Sequence, residues 1–201
     1  MKELKEYFEN YILIPISELL NNQRIYKDFQ KNCMSKNFIS NSFTAFVDII
    51  YYKTMITDLC RQLDKPKNDS DRTFRGFIER FKAKEHIILD KRKNQKVLNL
   101  KTGTIQSLDG YKNIKPDFDS IAHDEKIKEL EKLFQIFRLY RNKVNCHLTS
   151  EEIEPPTIEQ IDKAVSFLEE LLYMYANLFG MHIVSIIPNP VYENPPFVNK
   201  L

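Results

Sequence analysis

Glycine is scarce, with 4 residues in a chain of 201, about 2% against the usual ~7%. Sheet-rich folds and phosphate-cradling loops use glycine heavily for turns and close backbone approaches, so the shortage points to helices. No G-x-G-x-x-G or G-x-x-x-x-G-K-[ST] run occurs, which leaves Rossmann and P-loop chemistry without support. Cysteine is equally sparse. Cys33, Cys60 and Cys146 are odd in number, far apart and without a Cys-x-x-Cys pair, so neither a disulfide framework nor a thiolate zinc site is expected, and a reducing cytoplasm is the simplest setting. An excess of one charge is missing too: 30 Lys+Arg against 28 Asp+Glu give a formal charge of +2, too little for a polybasic protein. There is no apolar run near the ~18 residues of a membrane span. The opening Met1-Lys2-Glu3-Leu4-Lys5-Glu6 places acids where a secretion signal would be basic.

What is present is helical periodicity. Residues 3–33 carry Leu4, Phe8, Tyr11, Ile12, Leu19, Leu20 and Phe29 at spacings of three and four, with a break or kink expected near Pro15. Residues 41–63 place Phe43, Phe46, Val47, Ile50, Ile56, Leu59, Cys60 and Leu63 on one apolar face, and Lys65-Pro66 ends that helix. Asp69-Ser70-Asp71 is expected to cap a third helix bearing Phe74, Phe77, Ile78, Phe81 and Ile88. Periodicity fades over about 91–118, an insertion in which Val97–Leu100 and Thr104–Gln106 flank Thr102-Gly103 as a small hairpin. Asp117 or Asp119 then caps a long helix to about Leu148. Thr157-x-x-Gln160 is a capping box opening a last helix, with Ile158, Ile161, Val165, Leu168, Leu172, Tyr175 and Phe179, that ends at Gly180. The expected fold is therefore all-α: one up-and-down bundle over 1–180 and an extended proline-rich tail over 181–201.

The segment Phe137-Arg138-Leu139-Tyr140-Arg141-Asn142-Lys143-Val144-Asn145-Cys146-His147-Leu148 stands out. Leu130, Phe137 and Val144 form one core row, and extending its neighbouring rows puts Arg141 and His147 inside the apolar seam. An ionised arginine there costs several kcal/mol unless it is paired or wet, which suggests a cleft or a subunit contact. Six residues separate the two, about 9 Å of rise and about 120° of rotation, so they flank Val144 instead of sharing a face. Two copies related by a two-fold axis would gather two of each around one cleft.

These residue types suit metal-free RNA cleavage. An imidazole with a reference pKa near ~6.5 can take a proton from the ribose 2′-hydroxyl or give one to the leaving 5′-oxygen, while a guanidinium forks onto the phosphate. Asn142 is placed to orient either group; Arg138, Lys143 and Asn145 are the candidate RNA-binding residues beside them. Other features read as ordinary. His86, His123 and His182 lack ligand spacing and are expected at the surface. The basic run over 82–96 reads as a solvated face, Glu151, Glu152 and Glu154 as an acidic loop, and Tyr51, Tyr52, Tyr173 and Tyr175 as packing. Arg80 and His86 repeat the six-residue spacing, but on the solvent side of their helix.

Arg141-Asn142-Lys143-x-x-x-His147-Leu148 near the end of a long bundle helix resembles the HEPN superfamily, and the arrangement over about 40–180 looks most like its AbiU-type branch, associated with abortive infection. The resemblance implies an all-helical homodimer with metal-independent endoribonuclease activity, no cofactor, and a role in phage defence or as a toxin. It also implies RNA as the substrate and an antitoxin or neighbouring defence protein as a partner. By that resemblance Arg141 and His147 are the catalytic pair and Asn142 an accessory. Thr149 stands where some members carry a modifiable tyrosine. The alternative is a catalytically silent HEPN-like module that binds RNA or protein.

Overall fold

The computed structural model describes residues 2–35, 42–68, 71–93, 96–99, 104–107, 118–142 and 154–179. The expected tail over 181–201 and most of the 91–118 insertion lie outside them. The first helix has three parts: α1 (Lys2–Tyr7), a π-helical turn (Phe8–Ile12) and α2 (Leu13–Ser35). Then come α3 (Ser42–Leu63), α4 (Phe74–Lys93), the strands β1 (Lys96–Asn99) and β2 (Thr104–Ser107), α5 (Ser120–Tyr140) and α6 (Ile158–Leu178). The protein is an all-α bundle carrying one small antiparallel hairpin, in which Val97 pairs with Gln106 and Leu98 with Ile105.

Pro15 does not break the first helix. Proline removes one N–H and crowds the carbonyl four residues earlier; the chain adapts with a wider turn, the Leu13 N–H donating to the Phe8 carbonyl. Leu4, Phe8, Ile12 and Ile16 are all buried and recur every four residues, a spacing that drifts by about 40° per step on an ideal α-helix. The wide turn absorbs part of that drift, so all four reach the core.

Capping explains where the other helices begin. The Asp119 carboxylate accepts from the Ile121 and Ala122 N–H groups, as expected for one of the two candidate aspartates. Thr157 and Gln160 form the reciprocal capping box. For α4 the expectation needs correction: Thr73, not the Asp69–Asp71 run, is the cap, its Oγ1 accepting from the Gly76 N–H. Asp71 instead closes the preceding loop by accepting from the Lys67 N–H. Gly76 lies where a Cβ would stand 3.3 Å from both Pro66 and the Tyr7 hydroxyl, so the absent side chain lets the loop and α1 pack closely over this helix start.

Cross-links between helices fix their directions. Tyr26 stacks on Tyr51 at 3.7 Å and Phe29 meets Phe43, so α2 and α3 are antiparallel. Arg75 pairs with Glu131 and Lys82 with Asp124, which sets α4 antiparallel to α5. Lys126 with Glu170 and Lys163 with Glu129 do the same for α5 and α6. The core is aromatic at one end, where Phe8, Phe77 and Phe179 gather around Tyr175. One expected face is only half right. Ile56, Leu59, Cys60 and Leu63 are buried, but Phe43, Phe46 and Ile50 are exposed. Burial in α3 begins at Tyr51; the turns before it touch α2 through Phe43 and Asp48. Tyr11 is likewise exposed, since Tyr7 and Phe8 fill the positions facing the core.

Candidate functional site

Arg141 follows the last residue of α5, its backbone N–H shared between the Arg138 and Phe137 carbonyls. Its side chain is 21% exposed, half-buried at the end of the helix. A cation there is favoured by the negative end of the helix dipole. The guanidinium is gripped from two directions. Its Nη1 donates to the Asp64 carboxylate at 2.7 Å, across 77 residues of sequence. Its Nε and Nη2 both donate to the Asn142 side-chain oxygen, at 3.2 and 3.1 Å. Arg138 is exposed on the same last turn. His147, Lys143 and Asn145, with Glu151 and Glu152, lie outside the described residues, and Glu154 is exposed.

Asp64 is the residue that sequence reasoning missed. It directly follows α3, its N–H closing onto the Cys60 carbonyl at 2.8 Å. An acid at a helix C-terminus opposes the dipole; that local conflict is the signal, and Arg141 resolves it. Beneath the pair, burial pushes the Cys60 thiol up to about 12, against the pull of Arg141 and Arg138. It is therefore packing and not a nucleophile. The wall beside Arg141 is built by Tyr140, whose ring meets Tyr52 edge-on at 5.7 Å, while the Tyr52 hydroxyl donates to the Pro156 carbonyl. Tyr52 and Tyr140 thus brace the junction of α3, α5 and the start of α6.

A second polar cluster lies at the opposite end of α5, and here the expectation of a surface histidine is overturned. His123 is fully buried. Counting back seven from Leu130 along the core row reaches it, a register the sequence offered. Its Nδ1 lies 3.0 Å from the Asp124 carboxylate and its Nε2 2.5 Å from the Tyr175 hydroxyl. A carboxylate only accepts, so Nδ1 carries the proton, Nε2 accepts, and Tyr175 donates. Lys82 pairs with Asp124 and, at 3.4 Å, with Glu85, which accepts from the Ser120 hydroxyl. Burial lowers the His123 pKa more than Asp124 restores it, so the imidazole is neutral. Burial alone would raise Asp124; the hydrogen bonds from Lys82 and His123 outweigh it and hold the carboxyl below the usual range. Phe81 and Phe118 flank the ring, which is closed to solvent. Lys82 is thus half-buried and paired, a correction to the solvated basic face. Arg80 also differs from expectation, lying over the Tyr7 ring at 5.3 Å from its centre, whereas His86 is exposed.

Of the tyrosines read as packing, Tyr51 and Tyr175 are buried and Tyr173 is 38% exposed. A concavity of about 680 Å³ runs along α5 from Glu125 to Gln135. It stops short of Arg141 and is lined by one helix with alternating charges, which makes it a surface furrow. Among the described residues no group of three or more His, Cys, Asp and Glu is placed to hold a metal ion, and no helix is long and apolar enough to cross a membrane. Comparison with family models, curated proteins and solved structures returns no match to this chain.

Proposed function

We propose that the chain is a metal-independent endoribonuclease of the HEPN kind, acting in the cytoplasm in defence or as a toxin, with Arg141 and His147 meeting across a homodimer. The observation that supports this reading is how the Arg141 guanidinium is held. Asp64 fixes it through Nη1, while the Nε and Nη2 edge faces the neutral oxygen of Asn142, an exposed residue. That edge is the one a phosphate engages in two parallel hydrogen bonds. Asn142 thus stands where a phosphate oxygen would sit on that edge. In the reaction, a neutral His147 takes the 2′-hydroxyl proton as the 2′-oxygen attacks phosphorus. The P–O5′ bond breaks, and a protonated imidazole, from the second copy, gives its proton to the departing 5′-oxygen. The products are a 2′,3′-cyclic phosphate and a 5′-hydroxyl. Arg141 stabilises the charge that grows on the non-bridging oxygens, and Arg138, Lys143 and Asn145 hold the flanking backbone.

One observation favours a second reading, a catalytically silent module that binds RNA or a protein partner: Asp64 already compensates the charge of Arg141. Purified protein incubated with RNA in excess EDTA separates the two. The nuclease reading expects cyclic-phosphate ends, with cleavage falling at least a hundredfold in both His147→Ala and Arg141→Ala. Binding without cleavage establishes the silent module. A monomer in sedimentation that neither binds nor cuts RNA overturns both.

A further inference from the structure

Asp64 is tied in place on both sides of its peptide. Its N–H donates to the Cys60 carbonyl at 2.8 Å, and its own carbonyl accepts from the Thr73 hydroxyl at 3.3 Å, so the end of α3 and the cap of α4 both hold it. Its side chain is 37% exposed, and the carboxylate accepts from the Arg141 Nη1 at 2.7 Å. A guanidinium is planar, with its three nitrogens spread evenly about the central carbon. The Nε–Nη2 edge therefore points away from Nη1, and on that edge the Asn142 oxygen accepts at 3.2 and 3.1 Å. Asp64 lies across the cation from the place where a phosphate would dock, roughly 7 Å from it by ordinary hydrogen-bond lengths.

Holding Nη1 does not by itself require an acid. An amide oxygen accepts the same hydrogen bond, as Asn142 does on the other edge. What a carboxylate adds is its charge, and at that distance the charge acts on a docked phosphate without touching it. Between two unit charges so spaced, the effect on affinity is about threefold at the dielectric constant of water and larger where water is thinned. An internal phosphodiester carries one negative charge and is opposed once. A terminal phosphomonoester, above its second pKa of ~6, carries nearly two and is opposed twice. We infer that Asp64 is a specificity-determining residue which, given the proposed phosphate-binding role of Arg141, biases the site toward the singly charged phosphodiester within an RNA chain and against the doubly charged phosphate at a chain end. A guanidinium without that acid would gain from every added negative charge and favour the chain end.

Two ligands that cannot be cleaved separate charge from shape. They are 2′-O-methyluridine 3′-monophosphate, nearly dianionic at about pH 8, and its 3′-methyl phosphate diester, which carries one charge. Each is titrated into the full chain at that pH and followed by nuclear magnetic resonance. Asp64→Asn keeps an oxygen for Nη1 and removes only the charge, so the ratio of monoester to diester affinity should rise at least about threefold, because the monoester is relieved twice over. Asp64→Ser, a second neutral variant, should raise it likewise, whereas Asp64→Glu, which keeps the charge, should hold the wild-type ratio. A merely structural role would weaken both ligands alike and leave the ratio unmoved. If both ligands bind the wild type and are lost in Arg141→Ala, yet the ratio stays fixed in both neutral variants, the specificity role of Asp64 is overturned while the phosphate site stands. If neither ligand binds the wild type at millimolar concentration, or Arg141→Ala binds both unchanged, the phosphate-binding role of Arg141 falls and the specificity with it.

Discussion

The two ends of α5 hold polar clusters built from the same kinds of residue and put to opposite uses. At the start, His123, Asp124, Lys82 and Tyr175 close a network around a fully buried imidazole with aromatic rings against it. At the end, Arg141, Asp64 and Asn142 form a network open on one side to solvent. Buried polar groups with every partner in place fix one packing arrangement, and removing one partner strands the others. A cluster at the rim can exchange a partner for a ligand at little cost. The first is architecture, and the second is where the proposed chemistry would take place.

The sharpest way to break this contrast is His123→Ala, which leaves the Tyr175 hydroxyl stranded and opens a cavity beside Phe81. A loss of about 3 kcal/mol is expected in urea unfolding; a loss below about 1 kcal/mol would deny the buried network its structural role. Tyr175→Phe removes only the donor to Nε2 and should cost about 1–2 kcal/mol by the same measurement.

Acid should loosen the His123 end. His123 has its pKa lowered in the folded state, so below the unfolded value of ~6.5 the unfolded chain binds the extra proton. The stability it contributes is complete above that pH and declines as pH falls toward the depressed folded value. The carboxyl of Asp124 adds its own loss in a lower window, beneath about pH 4. Thermal unfolding between pH 7 and 5 should show a smaller decline in His123→Gln than in the wild type; equal slopes would count against a buried neutral imidazole.

The smallest effect belongs to the rim. A double-mutant cycle of Asp64→Asn with Arg141→Ala should give a coupling of about 0.5–1 kcal/mol, as for a partly exposed pair. A coupling of several kcal/mol would make this pair as architectural as His123 and remove the distinction between the ends.

Most of the fold was legible because helix faces leave a periodic trace. The rows through Leu130 and Phe137, or Ile161, Val165, Leu168 and Leu172, are buried as their spacing requires, and Thr157 with Gln160 announces its helix through local hydrogen bonds. The hairpin at Lys96–Asn99 and Thr104–Ser107 was readable from Thr102-Gly103 between two short runs. Phe43, Phe46 and Ile50 misled because periodicity shows which face is apolar, not how far along a helix its neighbours extend. Arg141 was legible from its register, whereas Asp64 was not, since its partner is fixed only when α3 meets α5. His123 could have been read from the same heptad row as Leu130; weighing histidine by its average polarity hid it.

The wide turn at Phe8–Ile12 bears on how this protein can change in length. It holds a residue beyond what an ordinary turn contains, so the chain has a built-in slack position near its beginning. Excising the exposed Asn10 would tighten that loop of backbone into a regular one while Leu4 and Tyr7 kept their aim. The same deletion in the uninterrupted stretch of α6 would swing every later side chain by about 100°. Single-codon losses are thus tolerable at one place in these helices and ruinous at most others.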